Sequence, residues 1–578
     1  MAEKIWESVA HDVAVVEALV ADMGLPRAAC AVLAARGQTT PSAVDRWLQP
    51  RLSGLLDPFD LPDMAVAVER LRGAVERQER VLVYGDYDVD GVTSTALMVT
   101  VLQALGVTAI PFLPHRVDDG YGLGVEPLER ALHAHRPHCV LTVDCGTQSV
   151  DAVERARQAG VDVIVTDHHE PGPELAPACA VVNPKRPGGS DEARILAGVG
   201  VAFKLAHALL KVLRDAGHVA AGQVDLRTHL DWVALGTIAD MVPLQGENRV
   251  LARYGLRQLT VTRKAGLQAL KAVAGLGDQD EVSAYHVGFL LGPRLNAAGR
   301  LGTAQAALDL LLTDDLARAK MLATALNEAN QDRQQTEARI VAEAQTWMEQ
   351  HFVADRDYGV VLAGADWHPG VIGIAASRIC AQYSRPTVVI GIDEDGCGRG
   401  SCRSVAPFDM VAGLQTCADS LIRFGGHTMA AGLQIATEQI ETFRQQFNAA
   451  VQARVTLDAL RPRQKVDAWI TLNEADWTLL EILERMDPFG IGNPKPVWAV
   501  KGVRLLGAPR RVGKNHLKMS VLGGNTRLDA IAFGLADRPI PDGPLDIAFQ
   551  LNRNRFRDRE TLQMVVQDFR ASIPCASA

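Results

Sequence analysis

Carboxylates recur in this sequence where apolar runs stop. Gly85-Asp86-Tyr87-Asp88-Val89-Asp90-Gly91 follows the run 81–84, Asp144-Cys145-Gly146 follows 139–143, and Asp167-His168-His169 follows 161–166. Asp240, after the apolar stretch 232–238, is a further candidate. Carboxylates at close range repel and raise one another's pKa, so such a cluster needs cations to offset it. Oxygen donors with one or two imidazoles suit Mn2+ or Mg2+ in octahedral geometry. A thiolate-bound zinc is disfavoured, since the nine cysteines include no C-x-x-C pair. Two ions sharing a carboxylate suit hydrolysis of a phosphate ester: one activates water, and both stabilise charge on the attacking and leaving oxygens.

These side chains converge only if the runs are strands of one sheet. The run 81–84 gives way to a helical stretch at 92–105, 139–143 precedes another at 148–159, and 161–166 and 180–182 read as further strands. Short, β-branched strands alternating with helices imply a parallel sheet covered on both faces. The carboxyl ends of its strands then share the edge where open α/β sheets bind ligands. Taken singly, an Asp at a strand end is also a common helix N-cap or turn residue, and paired histidines are also found in solvated loops. Convergence at one edge is what carries the metal reading. The Asp-x-Asp-x-Asp-Gly run is not a calcium loop, because the twelfth position from Asp86 is Leu97 and not Glu. Cys145 reads as a packing residue, with no base implied nearby.

The rest of the chain supplies the frame. At 578 residues it is long enough for about three or four domains, and 48% hydrophobic with 22% charged residues is a globular balance rather than a disordered one. Residues 1–75 read as an N-terminal helical region from the spacing of Val13, Val16, Leu19 and Val20, and 228–311 as mainly helical. The run 314–349, without Pro or Gly, predicts one long connecting helix. A second α/β segment starts near 358, with a strand at 387–392 and glycines at 425 and 426. After about 465, short runs such as 503–506, 517–522 and 528–533 suggest a small β-barrel. The expected bounds are 1–75, 76–313 for the first α/β domain, 314–352 for the helix, 353–456 for the second α/β domain, and 460–578 for the barrel. The net charge of -9 repels polyanions, so nucleic-acid binding must be local. Basic residues outnumber acidic ones between 501 and 570, with Arg510, Arg511, Lys514, His516 and Lys518 in one group and Arg553, Arg555, Phe556, Arg557 and Arg559 in another. The uncharged stretch 92–114 is broken by polar residues, Gly106 and Pro111, so no membrane span is expected. No signal-peptide core stands near Met1, and the scattered cysteines form no disulfide framework, so a cytoplasmic location is expected.

The acidic motifs, with Gly236-Thr237-Ile238-Ala239-Asp240, resemble the four motifs of the DHH phosphoesterase superfamily. Later segments are similar to its RecJ branch: residues 197–205, Gly292-Pro293-Arg294-Leu295-Asn296-Ala297-Ala298-Gly299-Arg300, Trp367-His368-Pro369-Gly370, Phe424-Gly425-Gly426-His427 and Pro488-Phe489-Gly490-Ile491-Gly492-Asn493-Pro494. The likeness runs from about residue 47 to 568. It implies a parallel-sheet DHH domain joined by the long helix to a smaller α/β DHHA1 domain, then an OB-fold. It also implies 5′ to 3′ hydrolysis of single-stranded DNA to nucleoside monophosphates with two Mn2+ or Mg2+ ions. By motif position, Asp86, Asp88, Asp90, Asp144, His168 and Asp240 would hold metal, with Asp144 as the bridge. His169 would face the scissile phosphate or the leaving oxygen, and Asp167 would orient its neighbours. Ser401 and Arg403, within a Gly-rich turn 398–404, would bind the terminal 5′ phosphate together with Arg116. Arg294, Asn296, His368, Arg378 and His427 would contact the DNA backbone, and the basic barrel residues, including Arg555 and Arg557, would bind single strands. Single-stranded-DNA-binding protein and a RecQ-type helicase are the partners implied, in recombination and mismatch repair. Two other readings stay open: a DHH phosphodiesterase of short RNA or cyclic dinucleotides, and a non-catalytic single-strand-binding scaffold.

Overall fold

Alternate residues of each short strand in the first α/β region are apolar on both sides, and the computed structural model shows why. Val81, Val83, Leu141, Val143 and Ile164 face one core, while Leu82, Tyr84, Val140, Val163 and Val165 face another. The sheet between these cores has five strands, all parallel, in the order Thr108–Phe112, Arg80–Gly85, Cys139–Val143, Asp162–Thr166, Ala180–Val182. The chain steps outward from Arg80–Gly85 to Thr108–Phe112, then back to the opposite side at Cys139–Val143. The order therefore reverses between Arg80–Gly85 and Cys139–Val143, which is where such sheets open a crevice for ligands. Helix Val89–Ala104 is buried along nearly its whole length under the first core. Its neighbours include Gly198–Asp215 and Leu230–Ala239. The described residues are 4–115, 119–120, 122–278, 280–301, 304–557 and 559–572.

Internal packing divides the chain into two units, Thr40–Asn330 with Glu484–Lys495, and Met1–Thr39 with Gln331–Leu483 and Pro496–Ala578. The division falls within helix Leu316–His351, the long helix expected from the run 314–349. In the second unit a five-stranded sheet runs in the order Arg423–His427, Ala430–Ala436, Cys397–Arg403, Thr387–Ile392, Val360–Ala365. Only the last two strands are parallel. The C-terminal strands close on themselves. Trp498–Leu505 pairs with both Leu545–Phe556 and His516–Gly523, and Thr526–Phe533 runs parallel to Arg559–Ala571, giving the closed five-strand ring of an OB-fold.

Three local expectations differ from the structure. Residues 1–75 are not wholly helical: Ile5–Ser8 is a strand paired in parallel with Arg463–Val466, a partner too distant for local periodicity to register. Thr108–Phe112 is an edge strand hidden in the uncharged stretch, and its Pro111 is tolerated because among the described residues that edge has no further neighbour. Residues 398–404 do not form a turn, since Cys397–Arg403 is a strand paired on both sides. Its N–H groups serve the ladder, so phosphate recognition there must come from side chains. Among the described residues no helix is long and apolar enough to cross a membrane, and the described cysteines are free thiols.

Candidate metal centre

At the carboxyl edge of the parallel sheet, three groups of side chains bring a ligand atom each to within 4.8 Å of one another: Asp86 with Asp88 and Asp144, Asp90 with His168 and Asp240, and Asp144 with His168 and His169. All six proposed metal ligands are brought together. Asp144 links the aspartate group to the histidines. Its backbone stands at φ 63, in the left-handed region that non-glycine residues rarely adopt, so the loop holds strain at this position.

Each donor is anchored by backbone. Asp88 caps helix Val89–Ala104, and its Oδ1 accepts from the N–H groups of Asp90 and Gly91 at 2.9 and 3.1 Å. It is therefore the N-cap that its sequence position also allows, but through one oxygen, which leaves Oδ2 for a cation. Asp90 accepts from Gly198 and Val199 N–H groups, at 2.7 and 2.8 Å, at the start of helix Gly198–Asp215. Asp240 sits at the end of helix Leu230–Ala239 rather than at a strand end. His168 Nε2 stands 3.1 Å from Asp144 Oδ1, 3.6 Å from Asp240 Oδ2 and 3.9 Å from Asp90 Oδ2. A hydrogen bond with the Leu196 backbone also holds the ring.

The electrostatics are those of a cation site. Burial, then Asp240 and Asp88, pushes the Asp90 carboxyl well up. Burial, then Asp90 and Asp88, does the same to Asp144. Asp240 is pushed up to about 7 by burial and then Asp88. His168 is pushed down to about 3 by burial and then by His169, so its imidazole is neutral and Nε2 offers a lone pair. Among the described residues Asp144 Oδ1 and His168 Nε2 are buried with no hydrogen-bond partner, an arrangement that costs free energy unless a further group enters. A hard divalent ion satisfies both atoms and offsets the crowded carboxylates, so the donor set fits Mn2+ or Mg2+.

His169 is set differently. Its Nδ1 lies 2.7 Å from Asp167 Oδ1. Burial opposes charge on the Asp167 carboxylate, but the His169 bond and the Thr147 N–H overcome this and hold its pKa low. The same pairing outweighs burial at His169 and holds its pKa up. Sequence reading missed Asn183, which is fully buried and donates to Thr147 Oγ1 and the His169 carbonyl, both at 2.9 Å. Its place just after Ala180–Val182, at the same sheet edge, was the available signal. Gly198 and Gly236 were also missed. A Cβ on Gly198 would lie 2.4 Å from Asp144 Oδ1, and one on Gly236 would lie 2.7 Å from Asp90 Oδ1.

The remaining candidates fall elsewhere. Asn296 Oδ1 accepts from Val89 N–H at 3.2 Å and so braces the Asp88 loop. Arg294 spends its donors internally, on Asn327 and on the carbonyls of Leu290 and Val273. In the second unit, Arg403 donates to Ser377 and Ser401 side chains, both at 3.1 Å, and Ser401 stands beside it on the same strand face. His368 caps helix Pro369–Tyr383, Arg378 pairs with Glu337 at 3.2 Å, and His427 is exposed at its strand end. Arg116 lies outside the described residues. On the barrel, Arg510 opposes Lys518 and Val512 opposes His516, next to exposed Phe533. Arg511 pairs with Asp537 and with the Lys514 carbonyl, Arg555 pairs with Glu560, and Arg557 lies over the Phe556 ring.

Comparison with known proteins agrees with this geometry. Residues 80–237 match the DHH family, N-terminal domain, 356–453 the DHHA1 domain, and 466–568 the RecJ OB domain. The single-stranded-DNA-specific exonuclease RecJ of Bacillus subtilis is 36% identical, over 97% of this chain and 70% of its own length. That of Escherichia coli is 37% identical over 90% and 92%. Among solved structures, RecJ of Thermus thermophilus in complex with Mn2+ superposes with a TM-score of 0.82 at 30% identity, covering 98% of this chain and 80% of that one. Its complex with Mg2+ matches at a TM-score of 0.75 and 28% identity. With an acidic cluster at the switch point of a parallel sheet, and relatives this similar along most of their length, the chain belongs to the RecJ family of DHH proteins.

Proposed function

We propose that the protein is a metal-dependent, single-stranded-DNA-specific exonuclease that works 5′ to 3′ and releases nucleoside 5′-monophosphates in recombination and repair. The observation that carries this reading is the acidic cluster with its two orphaned buried atoms, Asp144 Oδ1 and His168 Nε2. Asp86, Asp88, Asp90, Asp144, His168 and Asp240 would hold two Mn2+ or Mg2+ ions, with Asp144 shared. Bound there, the ions supply an activated water and stabilise charge on the attacking and leaving oxygens. The chain's own residues do the rest. Asp88, Asp90 and Asn296 fix the loop through backbone bonds, so the donors need little reorganisation. Asp167 fixes the His169 ring, which faces the scissile phosphate or supplies a proton to the leaving oxygen. Ser401 and Arg403 take the terminal 5′ phosphate, so release starts at that end. The basic and aromatic barrel face holds single strands.

The regions are assigned as proposed from the sequence: 1–75, a catalytic DHH domain at 76–313, a connecting helix at 314–352, DHHA1 at 353–456 and the OB-fold at 460–578. Single-stranded-DNA-binding protein and a RecQ-type helicase are the partners we infer, in the cytoplasm. The direct test is a Mn2+-dependent time course on single strands labelled at either end, beside a matching duplex. Mononucleotide release from the 5′ end of the single strand alone is expected, and binding without cleavage overturns the reading in favour of a scaffold.

Two further outcomes follow from the site. Asp90, Asp144 and Asp240 have raised pKa values, so protons compete with the ion. Mn2+ affinity should fall by about tenfold or more per pH unit as pH drops below about 7, with protons released on binding. Calorimetry in two buffers of different ionisation enthalpy measures both, and an affinity that stays flat from about pH 8 to about pH 6 counts against the assignment. Asp167→Asn should lower kcat by about ten- to a hundredfold with little change in KM, because the His169 ring loses its orienting partner. Single-turnover kinetics read this directly.

A further inference from the structure

Cross-strand pairing arranges three rows of side chains on one face of the second-unit sheet. Arg423, Gln434 and Arg399 form the first row, Gly425, Gly432 and Ser401 the second, and His427, Ala430 and Arg403 the third. The residues between them, Cys402, Ala431 and Leu433, face the core. Over the first two rows a groove of about 410 Å3 opens, walled by Arg399, Arg423 and Gln434 and floored by Gly425 and Gly432. A Cβ on Gly425 would meet nothing within 4 Å, and one on Gly432 would meet only the Gly400 carbonyl, at 3.8 Å. The floor is therefore bare backbone with open space above it.

Arg399 and Arg423 are both exposed, and among the described residues neither guanidinium has an ion pair or a side-chain hydrogen bond. That is unlike Arg403 in the third row, which is tied to Ser377 and Ser401. No carboxylate lines the groove; Asp393 and Glu394 line the neighbouring hollow, which Arg399 also borders. Two uncompensated guanidiniums flanking Gln434 in one row, beside a side-chain-free floor, repel, and an anion placed over that floor within reach of both relieves them. Their planar forks match phosphate oxygens in a bidentate way. The first row lies about 6.6 Å from Ser401 along the strand, two residues away, a spacing that a chain of linked phosphates spans.

We propose that this groove is a second phosphate subsite, continuous with Ser401 and Arg403, that takes the outer phosphates of a 5′-polyphosphorylated strand end. The inference rests on the reading of Ser401 and Arg403 as the site of the first 5′ phosphate. The reaction class that supplies such an end is chain initiation from a nucleoside triphosphate, and the subsite lets degradation begin there without prior removal of the outer phosphates. Water breaks the first internucleotide bond, the first nucleotide leaves as a nucleoside triphosphate with a free 3′ hydroxyl, and the shortened strand keeps a 5′ monophosphate from which monophosphate release continues. A free nucleoside triphosphate carries the same chemistry, so the test separates the two sources.

The experiment measures KM on one oligonucleotide sequence bearing a 5′ hydroxyl, monophosphate or triphosphate, at fixed free Mn2+, for the full-length protein and an Arg399→Ala/Arg423→Ala double variant. The triphosphate end is expected to lower KM by about tenfold relative to the monophosphate end, and the double substitution to bring that ratio to about one. Inorganic triphosphate should compete with the strand, and lose about tenfold in potency on the double variant. Equal KM values for the two ends in the unsubstituted protein, or a ratio that survives the double substitution, overturns the proposal. Competition by free nucleoside triphosphate without any gain for the triphosphorylated strand also overturns it, since the site then serves a free nucleotide. Arg403→Ala distinguishes the underlying reading: if the preference for a 5′ monophosphate over a hydroxyl survives, that reading falls, while displacement of inorganic triphosphate still decides the groove by itself.

Discussion

Asp144→Asn is expected to abolish mononucleotide release, by about a thousandfold or more in kcat, while raising the melting temperature of the metal-free protein. The two effects share one cause. Asp144 is 2% exposed, and burial together with Asp90 and Asp88 pushes its pKa well up. An acid whose folded pKa lies above its unfolded value destabilises the fold as pH rises past that unfolded value, so at neutral pH its charge is a liability that the amide removes. The amide still fits the space but cannot serve as an anionic ligand between the Asp86–Asp88 group and the histidines. Added Mn2+ should therefore raise the melting temperature of the unsubstituted protein and leave the variant nearly unmoved. Calorimetric scans with and without Mn2+, beside the exonuclease time course, test all three statements. A variant that keeps a tenth of its activity would remove Asp144 from the role of shared ligand.

How far the site was legible follows from which of its determinants are local. Strand ends at Gly85, Val143 and Thr166 could be read from apolar runs, and parallel strands share one edge. Topology alone therefore brought Asp86, Asp88, Asp90, Asp144 and His168 together. Asp240 was found by the apolar stretch before it, although that stretch is a helix, because a buried helix and a buried strand have the same continuous apolar signature. What stayed hidden is contact across long separations. Gly198 reads as an ordinary small residue, yet it donates to Asp90 and packs against Asp144. Asn296 is expected at the DNA backbone from its motif, and its bond from the Val89 N–H could not be read from the sequence.

The fold shows the same division. The long helix Leu316–His351 and the parallel strands carry strong local periodicity and were read correctly. The strand Ile5–Ser8 was not, because its partner Arg463–Val466 lies at the far end of the chain and one paired edge leaves no repeating apolar pattern. The Gly-rich segment at 398–404 misled for a physical reason. Gly398 and Gly400 suggest a turn, but each faces the core, where Ile390, Ile435 and Leu433 leave no room for a side chain. Glycine there serves close packing in a strand rather than a reversal of direction.

Gly198→Ala tests whether that close packing at the metal centre is functional, and the expected result is a loss of about a hundredfold in kcat with the fold retained. An added Cβ would lie 2.4 Å from Asp144 Oδ1 and 2.7 Å from its Cβ and Cγ, distances no real pair of atoms keeps. Either the Asp144 carboxylate or the start of helix Gly198–Asp215 must give way. If the carboxylate moves, the proposed shared ligand is misplaced. If the helix moves, Asp90 loses its 2.7 Å bond from the Gly198 N–H and its 2.8 Å bond from the Val199 N–H, so the second group of donors shifts instead. Both routes end in a displaced ligand and weaker Mn2+ binding, and a displacement near 1 Å is enough for a loss of about a hundredfold. Gly200→Ala, two residues along the same helix, meets the Leu196 side chain, at 3.1 Å from Cδ2 and at ordinary contact distance from Cβ and Cγ, and should retain activity within about threefold. Should Gly198→Ala match it, with unchanged Mn2+ affinity, the centre tolerates movement of Asp144, and the tight packing there is structural alone.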